Sequence, residues 1–244
     1  MMALIRTIAT MLVIGVLTIV FAAVLILAAL VGVPNRPGSI YDVLPRAWAR
    51  WTLWAGGVKV RLHGLAALPP DGTFIFICNH VSLFDILALV GRLPRNNFVA
   101  KAELFKIPVF GAGLRVLGTV PMERANQKAA FGAYDVAAER IKSGSSVVVF
   151  PEGTRGTDYA IRHFKKGPFV LAIKAGVPIV PVVIYGTIAI LPKGKLVMHP
   201  GVVDVYLLDP VPTAGLTYDD RDTLADDVHV RMQSVMDDLY LNRK

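Results

Sequence analysis

The sequence predicts an α/β fold, a mixed central sheet flanked by helices, preceded by a membrane-embedded N-terminal helical segment. Three observations predict it. Apolar runs of strand length alternate with segments of helical period, the pattern of layered α/β domains. Ile8 to Val33 contains no Asp, Glu, Lys, Arg or His. Hydrophobic residues make up 54% of the 244 residues and charged residues 18%, which excludes a disordered chain and is apolar even for a globular domain. The expected division is 1–57 as anchor and 58–244 as an α/β domain closed by a C-terminal surface helix.

The elements follow in order. As a helix, Ile8–Val33 is about 39 Å long, enough to cross a bilayer core of roughly 30 Å with tilt. A cleaved signal peptide has a shorter apolar region, about 7–15 residues. Pro34-Asn35-Arg36-Pro37-Gly38 is a turn signal. Tyr41–Val58 reads as an amphipathic helix whose Trp48, Trp51, Trp54, Arg46 and Arg50 suit a headgroup region. The Arg residues after the run favour residues 36 onward in the cytoplasm, and a re-entrant hairpin fits as well. Val58–Leu62 alternates as a half-buried strand does, and Thr73–Cys78 is a buried strand entered from a turn. Asn97–Ala100 is a short strand, and Pro121 sets Thr119–Met122 near a sheet edge. Ala125–Lys142 is a helix, Ser146–Phe150 a buried strand, Gly167–Ala175 a helix stopped by Gly176, and Ile179–Tyr185 a buried strand. Leu196–Met198 and Val202–Leu208 flank Pro200-Gly201 as a candidate hairpin. Leu224, Val228, Met232, Val235 and Leu239 recur at helical spacing in the tail.

The single cysteine, Cys78, excludes an intrachain disulfide, a CxxC redox pair and a cysteine-rich zinc site. The net charge is +8, and residues 217–244 alone carry seven Asp against four Lys/Arg, so the rest of the chain is more basic still. Such a body attracts an anionic partner. The tryptophans cluster beside the apolar segment, which fits membrane lipids rather than nucleic acid.

Two segments carry chemistry. Asn79-His80-Val81-Ser82-Leu83-Phe84-Asp85 follows the strand ending at Cys78, and helical periodicity resumes at Leu83. Ser82 and Asp85 have capping-box spacing, so His80 sits on a strand-to-helix turn and can fold back onto the Asp85 carboxylate. A carboxylate on one ring nitrogen fixes the tautomer and makes the other nitrogen a general base. The helix N-terminus offers backbone N–H groups to a developing oxyanion. The alternative is a plain cap. Cys78, at the end of an apolar strand, reads as packing. No G-x-S-x-G, HExxH, P-loop or complete GxGxxG occurs, so the base would act directly on an acceptor hydroxyl. The second segment is Phe150-Pro151-Glu152-Gly153-Thr154-Arg155-Gly156, after the next buried strand. Arg155 has a planar fork suited to phosphate, and Glu152 could orient that fork or bind an acceptor hydroxyl. Its alternative is a solvated turn. His63, His163, His199 and His229 lack an Asp-plus-cap setting and read as ordinary.

In this order, the two segments resemble the glycerolipid acyltransferase family, most closely its 1-acylglycerol-3-phosphate acyltransferases. Gly118–Arg124, Phe164–Gly167, Val177–Val182 and the stretch from Ala100 to Gly111 are similar to further blocks of that family, over roughly residues 60–210. Pro121-Met122-Glu123 departs from the usual apolar-Ile-Asp before Arg124. The resemblance implies that His80, held by Asp85, deprotonates the sn-2 hydroxyl of a lysophospholipid, which attacks an acyl thioester on coenzyme A or acyl carrier protein. Lys101, Arg124 and Arg155 are its candidates for the acceptor phosphate, with Glu152, Gly153 and Thr154 completing the substrate-binding set. It implies no metal and no redox cofactor, acyl-CoA or acyl-ACP being the donor substrate. The expected location, from the arginine distribution, is the membrane at its cytoplasmic face, the cell's inner membrane. Acceptors other than lysophosphatidic acid, such as a lyso-ornithine lipid, and a non-catalytic membrane-surface binding protein are the competing readings.

Overall fold

The computed structural model of the chain describes residues 2–36, 38–65, 68–69, 71–93, 96–123 and 127–241. Seven strands form one mixed sheet in the order β1-β7-β6-β2-β5-β3-β4. They are β1 (Val58–His63), β2 (Ile75–Cys78), β3 (Asn96–Lys101), β4 (Val120–Met122), β5 (Ser146–Val149), β6 (Ile179–Tyr185) and β7 (Gly201–Leu207). Every neighbouring pair is parallel except β6 and β7. The continuous apolar runs of β2, β5 and β6 mark strands covered on both faces, and β2 and β5 are buried throughout. Pro121 falls on edge strand β4, where its missing N–H costs no ladder bond.

Two cores sandwich the sheet. On one face Phe76, Cys78, Val148, Val180 and Val182 pack with α2 (Ile40–Ala55) and α3 (Phe84–Arg92). On the other, Ile75, Ile77, Val147 and Val149 pack with α5 (Gln127–Lys142), α6 (Gly167–Ala175) and α8 (Arg221–Leu241). Leu224, Val228 and Met232 are the buried stripe of α8, as their spacing requires.

α1 (Met2–Leu30) is long and apolar enough to cross a membrane. It touches the α/β domain near both of its ends. Thr7 Oγ1 accepts the Met198 N–H at 3.0 Å, and Leu25 and Ala28 cluster with Tyr41, Val116 and Leu117. Midway, Trp48 Nε1 donates to Thr18 Oγ1 at 3.1 Å. Trp51 and Trp54 are exposed beside the apolar outer side of α1, whereas Trp48 turns inward. Arg50, expected at a headgroup region, donates to the Gly91 carbonyl and so ties α2 to α3.

Four features differ from the sequence reading. Leu196–Met198 forms no strand, because the Met198 N–H is taken by α1 rather than by a ladder, and the antiparallel partner of β7 is β6. α4 (Phe110–Leu117) is a helix with no expected counterpart. Its two glycines allow close packing: a Cβ on Gly111 would stand 2.3 Å from the Phe105 carbonyl oxygen, and one on Gly113 would stand 3.0 Å from Ala22 Cβ. A short helix, α7 (Thr187–Ile190), precedes the β6–β7 loop. His63 also has a carboxylate after all: its Nε2 lies 2.9 Å from Oδ1 of buried Asp204, and its ring stacks on Tyr206.

Candidate active site

The functional segments meet because β2 and β5 are adjacent and parallel, so the turns after Cys78 and Val149 emerge side by side at the carboxyl ends of the strands. That edge is where α/β sheets bind ligands. Asn79 extends β2 past its end by exchanging two hydrogen bonds with the backbone of Ile184, at 3.0 and 2.7 Å. His80 then leaves the sheet with its position already set.

The imidazole meets Asp85 as the spacing predicts, with Nδ1 2.8 Å from Oδ2. An ionised carboxylate only accepts, so Nδ1 carries the proton and Nε2 is left to act as base. The same Oδ2 accepts the N–H groups of Val81 and Ser82, at 2.7 and 2.8 Å. Oδ1 is buried with no partner among the described residues. The Asp85 half of the expected capping box therefore forms, but the Ser82 half does not. Ser82 Oγ instead donates to the Leu191 carbonyl at 2.8 Å and accepts the Phe84 N–H at 3.2 Å. This corrects the oxyanion expectation in part, because the N–H groups of Val81, Ser82 and Phe84 are all spent inside the turn. The His80 ring stacks on Phe150 with 4.1 Å between centroids. Cys78 is fully buried, and burial, aided by the Asp85 charge, pushes its thiol well above the usual range, which fits packing and not nucleophilic attack.

Glu152 does not orient the Arg155 fork. Its Oε1 accepts the backbone N–H of His80 at 2.8 Å, and Oε2 accepts that of Arg162 at 3.4 Å. The His80 carbonyl in turn accepts the Gly156 N–H at 2.7 Å. Glu152 is 8% exposed, and burial pushes its carboxyl up to about 7 against the lowering effect of those two N–H groups. Gly153 turns the loop at φ +73°, a conformation that favours glycine.

A cavity of about 890 Å³ opens at this edge. His80, Lys101, Thr154 and Arg155 line it, whereas Asp85, Glu152 and Gly153 stand outside its wall. Arg124 lies outside the described residues. The remaining wall is largely apolar, with Phe21 and Leu25 from α1, Ile86 and Val90 from α3, and Leu114 from α4. Lys101 shares its charge with Glu103 at 3.2 Å, an exposed pair worth little in stability. Lys193, which the motifs do not reach, also lines the cavity and donates to the Arg155 carbonyl at 2.9 Å. No local pattern signals it, since its partner lies 38 residues earlier in the chain.

Residues 59–185 match a family model described as Acyltransferase. The chain is 35% identical over 182 residues to the putative 1-acyl-sn-glycerol-3-phosphate acyltransferase acl-2 of Caenorhabditis elegans, covering 73% of this chain and 63% of that one. It is 35% identical over 181 residues to 1-acyl-sn-glycerol-3-phosphate acyltransferase alpha of Homo sapiens, covering 73% of this chain and 64% of that one. With the chloroplastic 1-acyl-sn-glycerol-3-phosphate acyltransferase BAT2 of Brassica napus the identity is 33%, over 71% of this chain and 51% of that one. The chain thus spans between about half and two thirds of the length of these relatives. Among solved structures, the crystal structure of the 1-acyl-sn-glycerophosphate (LPA) acyltransferase PlsC from Thermotoga maritima superposes with a TM-score of 0.82 at 28% identity, covering 97% of this chain and 95% of that chain.

Proposed function

Because the chain belongs to the acyltransferase family, we propose that it transfers an acyl chain from acyl-CoA or acyl-ACP to the sn-2 hydroxyl of lysophosphatidic acid, giving phosphatidic acid. The observation that carries this reading is the His80–Asp85 contact at the wall of a cavity lined by cations, Lys101 and Arg155 among them, and by apolar helix side chains. A lipid with an anionic head and a reactive hydroxyl between head and tail matches that polarity.

In this reading Nε2 of His80 takes the hydroxyl proton as the acceptor oxygen attacks the thioester carbonyl. The tetrahedral intermediate collapses, the C–S bond breaks, and the imidazolium returns the proton to the departing thiolate. Asp85 holds the tautomer and stabilises the transient imidazolium. Lys101, Arg155 and Arg124 are assigned to the acceptor phosphate, and Thr154 to the same end of the cavity. Glu152 is a positioning residue, acting on the main chain of His80. The chemistry needs no metal or redox group.

The protein works at a lipid surface, at the cytoplasmic face of the cell membrane. α1 is held to the domain near both ends, which favours embedding along one leaflet over crossing to the far side. Its exposed Leu12, Val16 and Ile19, with Trp51 and Trp54, supply the lipid-facing side.

The test is acyl transfer by the detergent-purified protein, with labelled acyl-CoA and acyl-ACP offered against a panel of lysolipids, beside His80→Ala. Preference for lysophosphatidic acid, with product lost in the variant, is the expected result. Preference for another lysolipid, such as a lyso-ornithine lipid, would retire the named acceptor and keep the mechanism. A folded wild-type protein that acylates nothing with either donor would overturn the enzyme reading.

A further inference from the structure

The loop between α7 and β7 lies outside both chemical segments, yet two hydrogen bonds tie it to the site and a third ties it to α1. The Leu191 carbonyl accepts Ser82 Oγ at 2.8 Å, Lys193 Nζ donates to the Arg155 carbonyl at 2.9 Å, and the Met198 N–H reaches Thr7 of α1 at 3.0 Å. The loop also closes on itself, with the Lys195 N–H on the Pro192 carbonyl and the His199 N–H on the Ile190 carbonyl. We propose that Lys193 is a substrate-binding residue, a phosphate ligand that the β6–β7 loop delivers to the mouth of the catalytic cavity. The proposal deepens the acyl-transfer reading and rests on it for the identity of the phosphate.

Lys193 lines the same cavity as His80, Thr154 and Arg155. An ammonium group has three N–H donors, and the bond to the Arg155 carbonyl fixes Nζ while using one of them. Among the described residues neither Lys193 nor Arg155 has a carboxylate within ion-pair distance, in contrast to Lys101, which is paired with Glu103. Lys193 and Arg155 thus bring two cations without a carboxylate partner to one cavity wall, and the carbonyl that holds Nζ also accepts Arg162 Nη1 at 3.5 Å. A phosphoryl group satisfies both, bridging a planar guanidinium and a point-charge ammonium. That phosphate belongs either to the lysolipid head or to the coenzyme of the donor. The chemistry is shared, and the experiment separates the two.

Binding is measured without turnover, by calorimetry in detergent, on the full chain. Lysophosphatidic acid and free coenzyme A are titrated separately into wild type, Lys193→Ala and Lys193→Arg. Turnover is then followed with lysophosphatidic acid against acyl-CoA and acyl-ACP. The expected result is a dissociation constant raised about tenfold in Lys193→Ala for one of the two ligands, partly restored in Lys193→Arg. The matching KM should rise, with kcat within about threefold of wild type. A shift for lysophosphatidic acid assigns the acceptor phosphate. A shift for coenzyme A, with acyl-ACP unaffected, assigns the donor. Dissociation constants within twofold of wild type for both ligands would overturn the proposal, including where the variant merely melts earlier. Failure of the acyl-transfer reading looks different: wild type binds ligand in the calorimeter and yields no product with any donor.

Discussion

Replacing Glu152 by glutamine separates the two jobs a buried carboxylate could have here. The side chain is 8% exposed and its carboxyl is pushed from 4.5 to about 7, chiefly by burial. The native protein therefore binds more protons than the unfolded chain between pH 4.5 and about 7. This group's favourable contribution is complete below pH 4.5 and is lost as the pH climbs through 7. At pH 8 the buried charge costs about 3 kcal/mol, from ~1.4 kcal/mol per tenfold change in protonation equilibrium. Glutamine removes that cost and keeps an oxygen for the His80 N–H, the shorter bond at 2.8 Å. It loses the 3.4 Å bond to the Arg162 N–H. That loss costs about 1 kcal/mol. The variant should be about 2 kcal/mol more stable than wild type at pH 8 and about 1 kcal/mol less stable near pH 4.5, so the two curves cross. In a chain of this size the gain corresponds to roughly 4–8 °C in Tm. Thermal unfolding in detergent from pH 4.5 to 8.5, followed by circular dichroism, reads it directly. If Glu152→Gln melts below wild type at pH 8, or by the same margin at every pH, the buried-charge account is wrong. Activity gives the second readout. A positioning role leaves the acceptor KM within about threefold and lets Glu152→Gln retain far more kcat than Glu152→Ala, which orphans the His80 N–H at a cost of about 1–3 kcal/mol. A selective rise in acceptor KM would restore Glu152 as a substrate ligand.

Asp85→Asn should lower kcat by about 10²–10⁴ with a small change in KM, since the amide no longer stabilises the imidazolium; steady-state kinetics showing a loss of only a few-fold would remove Asp85 from the mechanism. Cys78 should resist a water-soluble maleimide at pH 8 until the protein unfolds, because its thiol is buried and pushed up; rapid labelling of the folded protein would contradict its packing role. Val109 sits at φ 61° at the entry to α4, with the Phe110 N–H folded onto the Pro108 carbonyl. Val109→Gly should stabilise by about 1 kcal/mol, strain of roughly 1–3 kcal/mol relieved against a chain-entropy cost of about 0.5–1 kcal/mol, and a lower melting temperature would refute that strain.

Much of the α/β core is legible from the chain because each buried strand is a short continuous apolar run between turn residues, and each helix repeats its apolar stripe. Ile75–Cys78 and Leu224–Met232 show the two periods. The His80–Asp85 contact is legible for a local reason, since a five-residue turn has few ways to close. Contacts between distant residues are not. The His80 N–H reaches a carboxylate 72 positions away, a distance set by which strands are neighbours and not by either motif. Lys193 is hidden for the same reason, its site being defined by the Arg155 main chain. α4 escapes because two glycines in eight residues weaken a helical signal, whereas in three dimensions they let the helix approach Phe105 and Ala22. The candidate hairpin at Leu196–Met198 fails because α1 competes for its backbone.

The site divides its two carboxylates by what they grip. Asp85 collects the imidazole and two N–H groups on one oxygen, so it fixes the ring and the turn together. Glu152 holds the main chain of the same histidine from the neighbouring strand, and Gly156 closes the grip on its carbonyl. The stack on Phe150 adds a third restraint, on the plane of the ring. Phe150, Glu152 and Gly156 all lie just beyond β5, so the position of His80 depends on the β2–β5 register as much as on its own turn. A one-residue slip of β5 against β2 would carry Phe150, Glu152 and Gly156 away from His80 together. In the proposed reaction, a histidine placed at rigid strand ends, with its partners beyond a second strand, is held within the tolerance that proton transfer demands.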